Sequence, residues 1–264
     1  MNARLAPRNP WLWRYGSSGS GKRVRLLCLP HAGGAAAVFR EWHALLPPPV
    51  EVCAVELPGR GSRLREQPLR EFGALVDATL AGVRPALDRP FALFGHSMGA
   101  LLAFELACRL SAEGLAPCQL FVSGRPAPHL ESLDPPIHML PEPEFVERLR
   151  TLNGTPLEVF RYPELMELMI PILRADLGAC ESYVHTPRPP LEVPISAFGG
   201  MDDREVSGDR LEAWSRYTRA RFVALQLPGD HFFLNEPPSR ERLTRSLSAD
   251  LSRACGLSSS SAAY

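Results

Sequence analysis

The stretch Phe91-Ala-Leu-Phe-Gly-His-Ser-Met-Gly-Ala-Leu-Leu-Ala-Phe-Glu-Leu-Ala107 constrains the fold more than any other part of this 264-residue chain. Its apolar run at 91–94 reads as a buried strand, and the Ala- and Leu-rich run after Met98 favours a helix. Ser97 falls on the turn between them, flanked by Gly95 and Gly99 in the pattern G-x-S-x-G. A missing Cβ on each side lets strand and helix pack closely around a strained turn, which presents the serine hydroxyl as an exposed nucleophile. The five-residue pattern alone is a weak signal, and the strand-turn-helix context gives it meaning. The helix N-terminus also sets backbone N–H groups and a positive dipole end beside the serine oxygen.

The rest of the chain repeats this alternation. Short apolar runs at 24–29, 50–55, 120–122, 195–198 and 222–227 read as further strands. Helical patterns occupy 35–46, 70–87, 98–113, 209–217 and 240–255. Buried strands separated by helices predict an α/β fold, with a mostly parallel sheet covered on both faces and a reactive edge at the strands' carboxyl ends. The alternation breaks at 129–190, where helices at 141–152 and 163–183 replace a single crossover and Pro171 interrupts the second. This segment is read as an inserted helical lid, with a core at 23–128 and 191–256. Residues 1–22, rich in Pro, Ser and Gly, are expected to form a flexible arm that Trp11, Trp13 and Tyr15 could anchor in part. The Ser-rich tail at 257–264 is expected to be disordered.

Composition excludes several functions. Equal counts of 29 basic and 29 acidic residues give no electrostatic case for nucleic acid or an anionic membrane. No apolar run approaches the roughly 20 residues that span a bilayer. The N-terminus lacks the apolar segment of a secretory signal. Cys28, Cys53, Cys108, Cys118, Cys180 and Cys255 are scattered without metal-binding spacing, which favours reduced core thiols and a cytoplasmic, monomeric protein.

A serine hydroxyl needs a base to take its proton, and the base needs an acid to orient it. In strand-turn-helix hydrolases the chain order is Ser, then Asp or Glu, then His. Ile195-Ser-Ala-Phe-Gly-Gly-Met-Asp-Asp203 is a strand opening into a loop with two acids, and Phe222-Val-Ala-Leu-Gln-Leu-Pro-Gly-Asp-His231 is a strand ending in a loop with one histidine. Both loops leave the same sheet edge as Ser97, so His231 is the expected base. Asp203 is preferred to Asp202 as the orienting acid because it falls one step deeper into the turn, while Asp230 reads as a turn residue. His31, His43, His96, His129, His138 and His185 read as packing or surface residues, and no metal is expected. A tetrahedral intermediate would need N–H donors for its oxyanion. Met98, following the nucleophile, supplies one, and Ala32 in the loop Leu29-Pro-His-Ala-Gly-Gly34 is the expected second.

Seven segments together resemble the type II thioesterases, the free-standing editing enzymes of polyketide and nonribosomal peptide assembly lines. They are Pro30-His-Ala-Gly-Gly34, Glu56-Leu-Pro-Gly-Arg-Gly61, Gly95-His-Ser-Met-Gly-Ala100, Ser123-Gly-Arg-Pro-Ala-Pro128, Leu173-Arg-Ala-Asp176, Gly199-Gly-Met-Asp-Asp203 and Gly229-Asp-His-Phe232. The resemblance spans about 23–251 and implies the α/β-hydrolase fold, a Ser97–His231–Asp203 triad and an oxyanion hole at Ala32 and Met98. It favours the later aspartate. One departure is Arg204, where many relatives have proline. The resemblance further implies hydrolysis of acyl groups stranded on acyl or peptidyl carrier proteins. The enzyme would need no cofactor of its own, because the substrate carries the phosphopantetheine. Arg60, Arg63, Arg65 and Arg125 are then candidates to meet the acidic carrier or the pantetheine phosphate. Rival readings are a product-releasing acyl-carrier thioesterase and a general carboxylesterase.

Overall fold

The computed structural model describes residues 9–16, 21–152, 154 and 158–256. Among these, seven strands form one sheet in the order β1-β3-β2-β4-β5-β6-β7. They are β1 (Leu12–Tyr15), β2 (Val24–Leu29), β3 (Val50–Val55), β4 (Phe91–His96), β5 (Gln119–Ser123), β6 (Ile195–Gly200) and β7 (Phe222–Leu227). Neighbours from β3 to β7 pair in parallel, and β1 pairs antiparallel at the edge. Every residue of β2, β3, β4 and β6 is buried, as expected of parallel strands covered on both faces.

The period-two alternation of the strands divides their side chains between two layers. Leu27, Leu93, Val122 and Ala197 face a core shared with helices α2 (Phe72–Val83) and α3 (Met98–Ala112). Leu26, Phe94, Phe121 and Phe198 face the other core, shared with Phe39, Trp42 and helix α7 (Pro237–Ala254) through Leu243, Leu247 and Leu251. There Trp42 packs edge-on against Phe39 and Phe94, with ring centroids at 5.1 and 4.7 Å. Each such buried side chain contributes about 1.5–3 kcal/mol. Helix α3 is apolar nearly all round because it lies beneath the sheet and is itself covered by other elements.

Several elements differ from expectation for local reasons. The helix expected at 35–46 is a 3-10 turn, Ala36–Phe39, followed by the short helix α1 (Trp42–Leu45). Pro47 and Pro48 close the segment, and the Ala36 N–H, which has no acceptor in the first turn, donates to the Glu56 carboxylate at 3.1 Å. The helix expected at 209–217 is the short α6 (Gly208–Glu212) continued by a 3-10 turn. Helix α7 begins earlier than expected, because Pro237 at its first position has φ already preset for a helix.

The expected N-terminal arm needs correction. Leu12–Tyr15 is a strand, with Leu12 opposite Val55 and Tyr15 opposite Val52. Trp11 anchors it: the Arg63 guanidinium lies 3.8 Å over its ring, and Asn9 donates to the Gly82 carbonyl at 2.8 Å. The remainder of the arm and the expected disordered tail at 257–264 lie outside the described residues.

Between β5 and β6 the chain inserts helices α4 (Glu142–Leu152) and α5 (Pro163–Glu181), close to the expected bounds. Helix α5 runs through Pro171, although proline removes one backbone hydrogen bond; buried Ile170, Ile172 and Leu173 hold the helix on either side. The two helices share a small core of Ile137, Phe145, Leu149, Met166, Ile170 and Leu173, separate from the two sheet layers.

Candidate active site

Ser97 links β4 to α3 with φ 55° and ψ −115°, and among the described residues it is the one non-glycine with positive φ. Such strain persists only where the surroundings enforce it. Here the enforcement is steric: a Cβ on Gly95 would sit 1.9 Å from the Gly99 carbonyl oxygen, and one on Gly99 would sit 2.1 Å from the Leu29 carbonyl oxygen. Any side chain at either position would push helix and strand apart. The Ser97 N–H donates to the Ser123 carbonyl at 2.7 Å, tying the turn to the end of β5.

Asp203 and His231 meet at the same edge. The His231 Nδ1 lies 2.7 Å from Asp203 Oδ2, while Asp203 Oδ1 accepts the Glu205 N–H at 3.0 Å. The Asp203 side chain is buried, and His231 stays partly open. A carboxylate on Nδ1 fixes the tautomer with Nε2 free to accept a proton. Asp202 is exposed, and its N–H instead donates to the Gly229 carbonyl at 3.0 Å. The Met201 N–H likewise reaches the Leu227 carbonyl at 2.8 Å, so the acid's loop is bound to the histidine's loop by backbone bonds. Asp230 Oδ1 accepts the Phe232 N–H at 2.7 Å, a turn-closing bond.

Behind His231 sit two more imidazoles. His96, next to Ser97, has its ring centroid 5.2 Å from that of His231, and His31 lies 6.1 Å from His96. Burial, with smaller contributions from His231 and Arg60, pushes the His31 pKa down to about 4. Burial likewise pushes His96 well below the ordinary histidine range, with His231 and His31 adding to the effect. Both rings are thus neutral at physiological pH. His96 Nδ1 lies 2.9 Å from Ser123 Oγ. His129, His185, His43 and His138 lie outside this cluster: Tyr217 Oη lies within 2.9 Å of His129 Nδ1 and 3.2 Å of His185 Nε2, His43 faces the Arg40 carbonyl, and His138 contacts Glu181.

Met98 is the first residue of α3, so its N–H has no acceptor within the helix. In the facing loop the Gly33 N–H is taken by Asp176 at 2.7 Å and the Gly34 N–H by the His31 carbonyl at 2.9 Å. These two N–H groups are thus already occupied within the fold.

The expected carrier contacts divide. Arg60 is buried, with Nη1 and Nη2 on the Asp176 carboxylate and further bonds to the Pro58 carbonyl. Arg63 is also buried, holding Glu66 with Nε and Nη2 and the Glu56 carbonyl with Nη1. Burial and pairing turn both guanidinium groups away from a partner's phosphate, which corrects the sequence expectation. Arg125 is half-buried and Arg65 exposed. The structure also brings in Asp176, to which the sequence assigned no role; its place in the segment Leu173-Arg-Ala-Asp176 was the available signal.

Burial dominates the thiols, pushing Cys53 and Cys180 up to about 12 and Cys108 to about 11. Cys118 and Cys255, whose sulfurs lie 2.6 Å apart, bring the start of β5 to the end of α7. Among the described residues no group of three or more His, Cys, Asp or Glu could hold a metal ion, and no helix is long and apolar enough to cross a membrane.

Comparison with known proteins agrees with this geometry. Residues 24–251 match the family described as Thioesterase domain. The gramicidin S biosynthesis protein GrsT of Aneurinibacillus migulanus is 44% identical over 218 residues, covering 82% of this chain and 85% of GrsT. The solved structure of the RedJ thioesterase from the prodiginine biosynthetic pathway in Streptomyces coelicolor superposes with a TM-score of 0.81 at 41% identity, covering 89% of this chain and 96% of that one. The type II thioesterase BorB from the borrelidin biosynthetic cluster superposes at 0.84 with 38% identity, covering 92% and 98%. With the strained Ser97 turn, the Asp203–His231 pair and this extended similarity, the chain belongs to the thioesterase-domain family and is a thioester hydrolase of the α/β-hydrolase fold.

Proposed function

We propose that this enzyme hydrolyses acyl thioesters from the phosphopantetheine arm of carrier proteins, clearing stalled or aberrant acyl groups from a polyketide or nonribosomal peptide synthase. The observation that carries the reading is the 2.7 Å contact of His231 Nδ1 with buried Asp203, at the same sheet edge as the strained Ser97 turn, where the ring centroid of His96, next to Ser97, lies 5.2 Å from that of His231. Similarity to BorB, described as a type II thioesterase from a biosynthetic cluster, supports the carrier-bound substrate.

In this reading His231 Nε2 takes the Ser97 proton as Oγ attacks the thioester carbonyl, and Asp203 stabilises the imidazolium. The Ala32 and Met98 N–H groups hold the tetrahedral oxyanion. Collapse of the intermediate breaks the C–S bond, and His231 returns the proton to the departing thiol. Water, activated by the same imidazole, then cleaves the acyl-Ser97 ester and releases the acid. Thioesters are activated acyl donors, so positioning carries more of the task than electrophilic activation. No cofactor enters these steps. The partner is an acyl or peptidyl carrier domain, met by a monomeric enzyme in the cytoplasm. Of the four arginines named from the sequence, Arg125 and Arg65 keep the exposure that contact with an acidic carrier requires.

Mass spectrometry of carrier proteins loaded with several short acyl groups tests this directly. Release of holo-carrier by the wild type and not by Ser97→Ala, across dissimilar acyl groups, is the expected result. Release of one long acyl group only would favour product release. Cleavage of simple oxygen esters without carrier turnover would leave a general esterase and overturn the proposal.

A further inference from the structure

We infer that Asp176, on α5 of the helical insertion, is a positioning residue for the oxyanion loop, so that the insertion must be docked for the chemistry at Ser97 to be fast. The inference rests on the proposed role of the Ala32 and Met98 N–H groups. Its physical basis is a buried junction of three segments far apart in sequence. Asp176 Oδ2 accepts the Gly33 N–H at 2.7 Å and Arg60 Nη1 at 2.5 Å, and its Oδ1 accepts Arg60 Nη2 at 2.8 Å. Its side chain is 1% exposed and that of Arg60 4%, so neither charge is screened by solvent. Gly33 follows β2, Arg60 follows β3, and Asp176 belongs to the insertion.

The loop geometry explains why this contact matters for the donor. The Gly34 N–H bonds the His31 carbonyl at 2.9 Å, which closes a four-residue turn with Ala32 and Gly33 at its centre. Gly33 has φ +75° and Ala32 does not have positive φ, the signature of a type II turn. In the alternative type I turn the central peptide is rotated by about half a turn. Its N–H would then point away from Asp176 and leave the carboxylate short of a donor. The Asp176 charge thus selects the observed orientation of the Ala32–Gly33 peptide. Leu173, one turn earlier on α5, reinforces this sterically: a Cβ on Gly33 would lie 2.5 Å from its Cδ2. Ala32 is joined directly to the peptide that Asp176 and Leu173 hold, so a shift of α5 shifts the Ala32 N–H.

The test uses a small acyl thioester, which bypasses carrier docking. In Arg60→Met/Asp176→Leu the buried ion pair is replaced by apolar side chains of similar size, a change that leaves many folds intact, and the Gly33 acceptor is lost. Asp176→Glu is the second variant: it keeps a carboxylate for Arg60 and moves the oxygen away from the Gly33 N–H. The expected result is a kcat lower by about 10–100-fold with KM within about threefold, the signature of a mispositioned oxyanion donor. Wild-type kcat in either folded variant, even with a lowered Tm, would reduce Asp176 to a structural clamp and overturn the inference. Wild-type turnover of the small thioester without turnover of carrier substrates would instead count against the carrier reading and leave this inference standing.

Discussion

The sheet edge and the helical insertion are held by different forces. The edge rests on β4, β6 and α3, whose residues are almost all buried in two continuous apolar layers. The insertion has its own small core and exposes Met139, Tyr162, Leu165, Leu168 and Val184. Its polar links to the rest include Asp176 to Gly33 and Arg60, Tyr183 and Arg188 to Glu105, His129 and His185 to Tyr217, the Leu133 and Asp134 N–H groups to Glu205, and Arg210 to the Glu131 carbonyl. A sheet edge built on distributed burial keeps its geometry when one contact is lost. A segment held by a small core and directional bonds can shift as a unit. The edge at Ser97 therefore rests on distributed burial, and the insertion on its own small core, directional bonds and the packing of Ala179, Cys180 and Tyr183 against the main core.

The largest expected effects break the edge chemically while leaving it standing. Ser97→Ala should lower thioester turnover by about 10⁴-fold or more with an unchanged Tm, and Asp203→Asn by about 10³–10⁴-fold in kcat, whereas Asp202→Asn should stay within about twofold. Steady-state kinetics beside thermal melts check all three. Equal losses at Asp202 and Asp203 would contradict the pairing described above.

Next come substitutions that set the two cores against each other. Phe145→Ala should cost about 3–5 kcal/mol locally and raise amide exchange across α4 and α5 first. Leu243→Ala, on the face of α7 packed against the sheet, should instead lower the global transition by about 2–5 kcal/mol. If Phe145→Ala depressed exchange protection equally in the sheet, the insertion would be no separate unit.

A smaller effect concerns pH. The His31 pKa is depressed from 6.5 to about 4, so the fold favours the neutral ring. The resulting stability is complete above pH 6.5 and is lost as pH falls through about 4, amounting to about 3 kcal/mol. His96 acts in the same direction. Denaturant melts from pH 7 to 4 should show a shallower decline for His31→Phe than for the wild type.

The smallest effect sharpens the view of the outer surface. Arg125→Ala should raise KM for carrier-bound substrates by about 2–5-fold and leave small thioesters unaffected, the scale of a charge contact that solvent still reaches. Kinetics with the two substrate types, run at low and moderate salt, decide it.

Much of this architecture was legible in the sequence. Parallel strands buried on both faces write themselves as apolar runs, and Gly95 and Gly99 mark the turn at Ser97 because nothing larger fits. The order Ser97, acid, His231 followed from loops leaving one sheet edge. The strand Leu12–Tyr15 was hidden because two of its four residues are exposed, none is fully buried, and they lack a clear alternation. The short turns replacing the helix at 35–46 carry no Gly or Pro inside the segment to mark the break, so local pattern could not place it.

By itself, then, the sequence determined the layered α/β plan and the tight turn at Ser97, because periodicity and glycine sterics act over a few residues. Tertiary structure alone decided that Asp203 is enclosed while Asp202 is exposed, and that the Arg60 and Arg63 side chains are themselves buried within the fold. It alone joined Asp176 to Gly33 and Arg60, which lie 143 and 116 residues away in the chain. A charge reads the same in sequence whether it faces water or a buried carboxylate; only the packed fold determines which side chains share a dry interior.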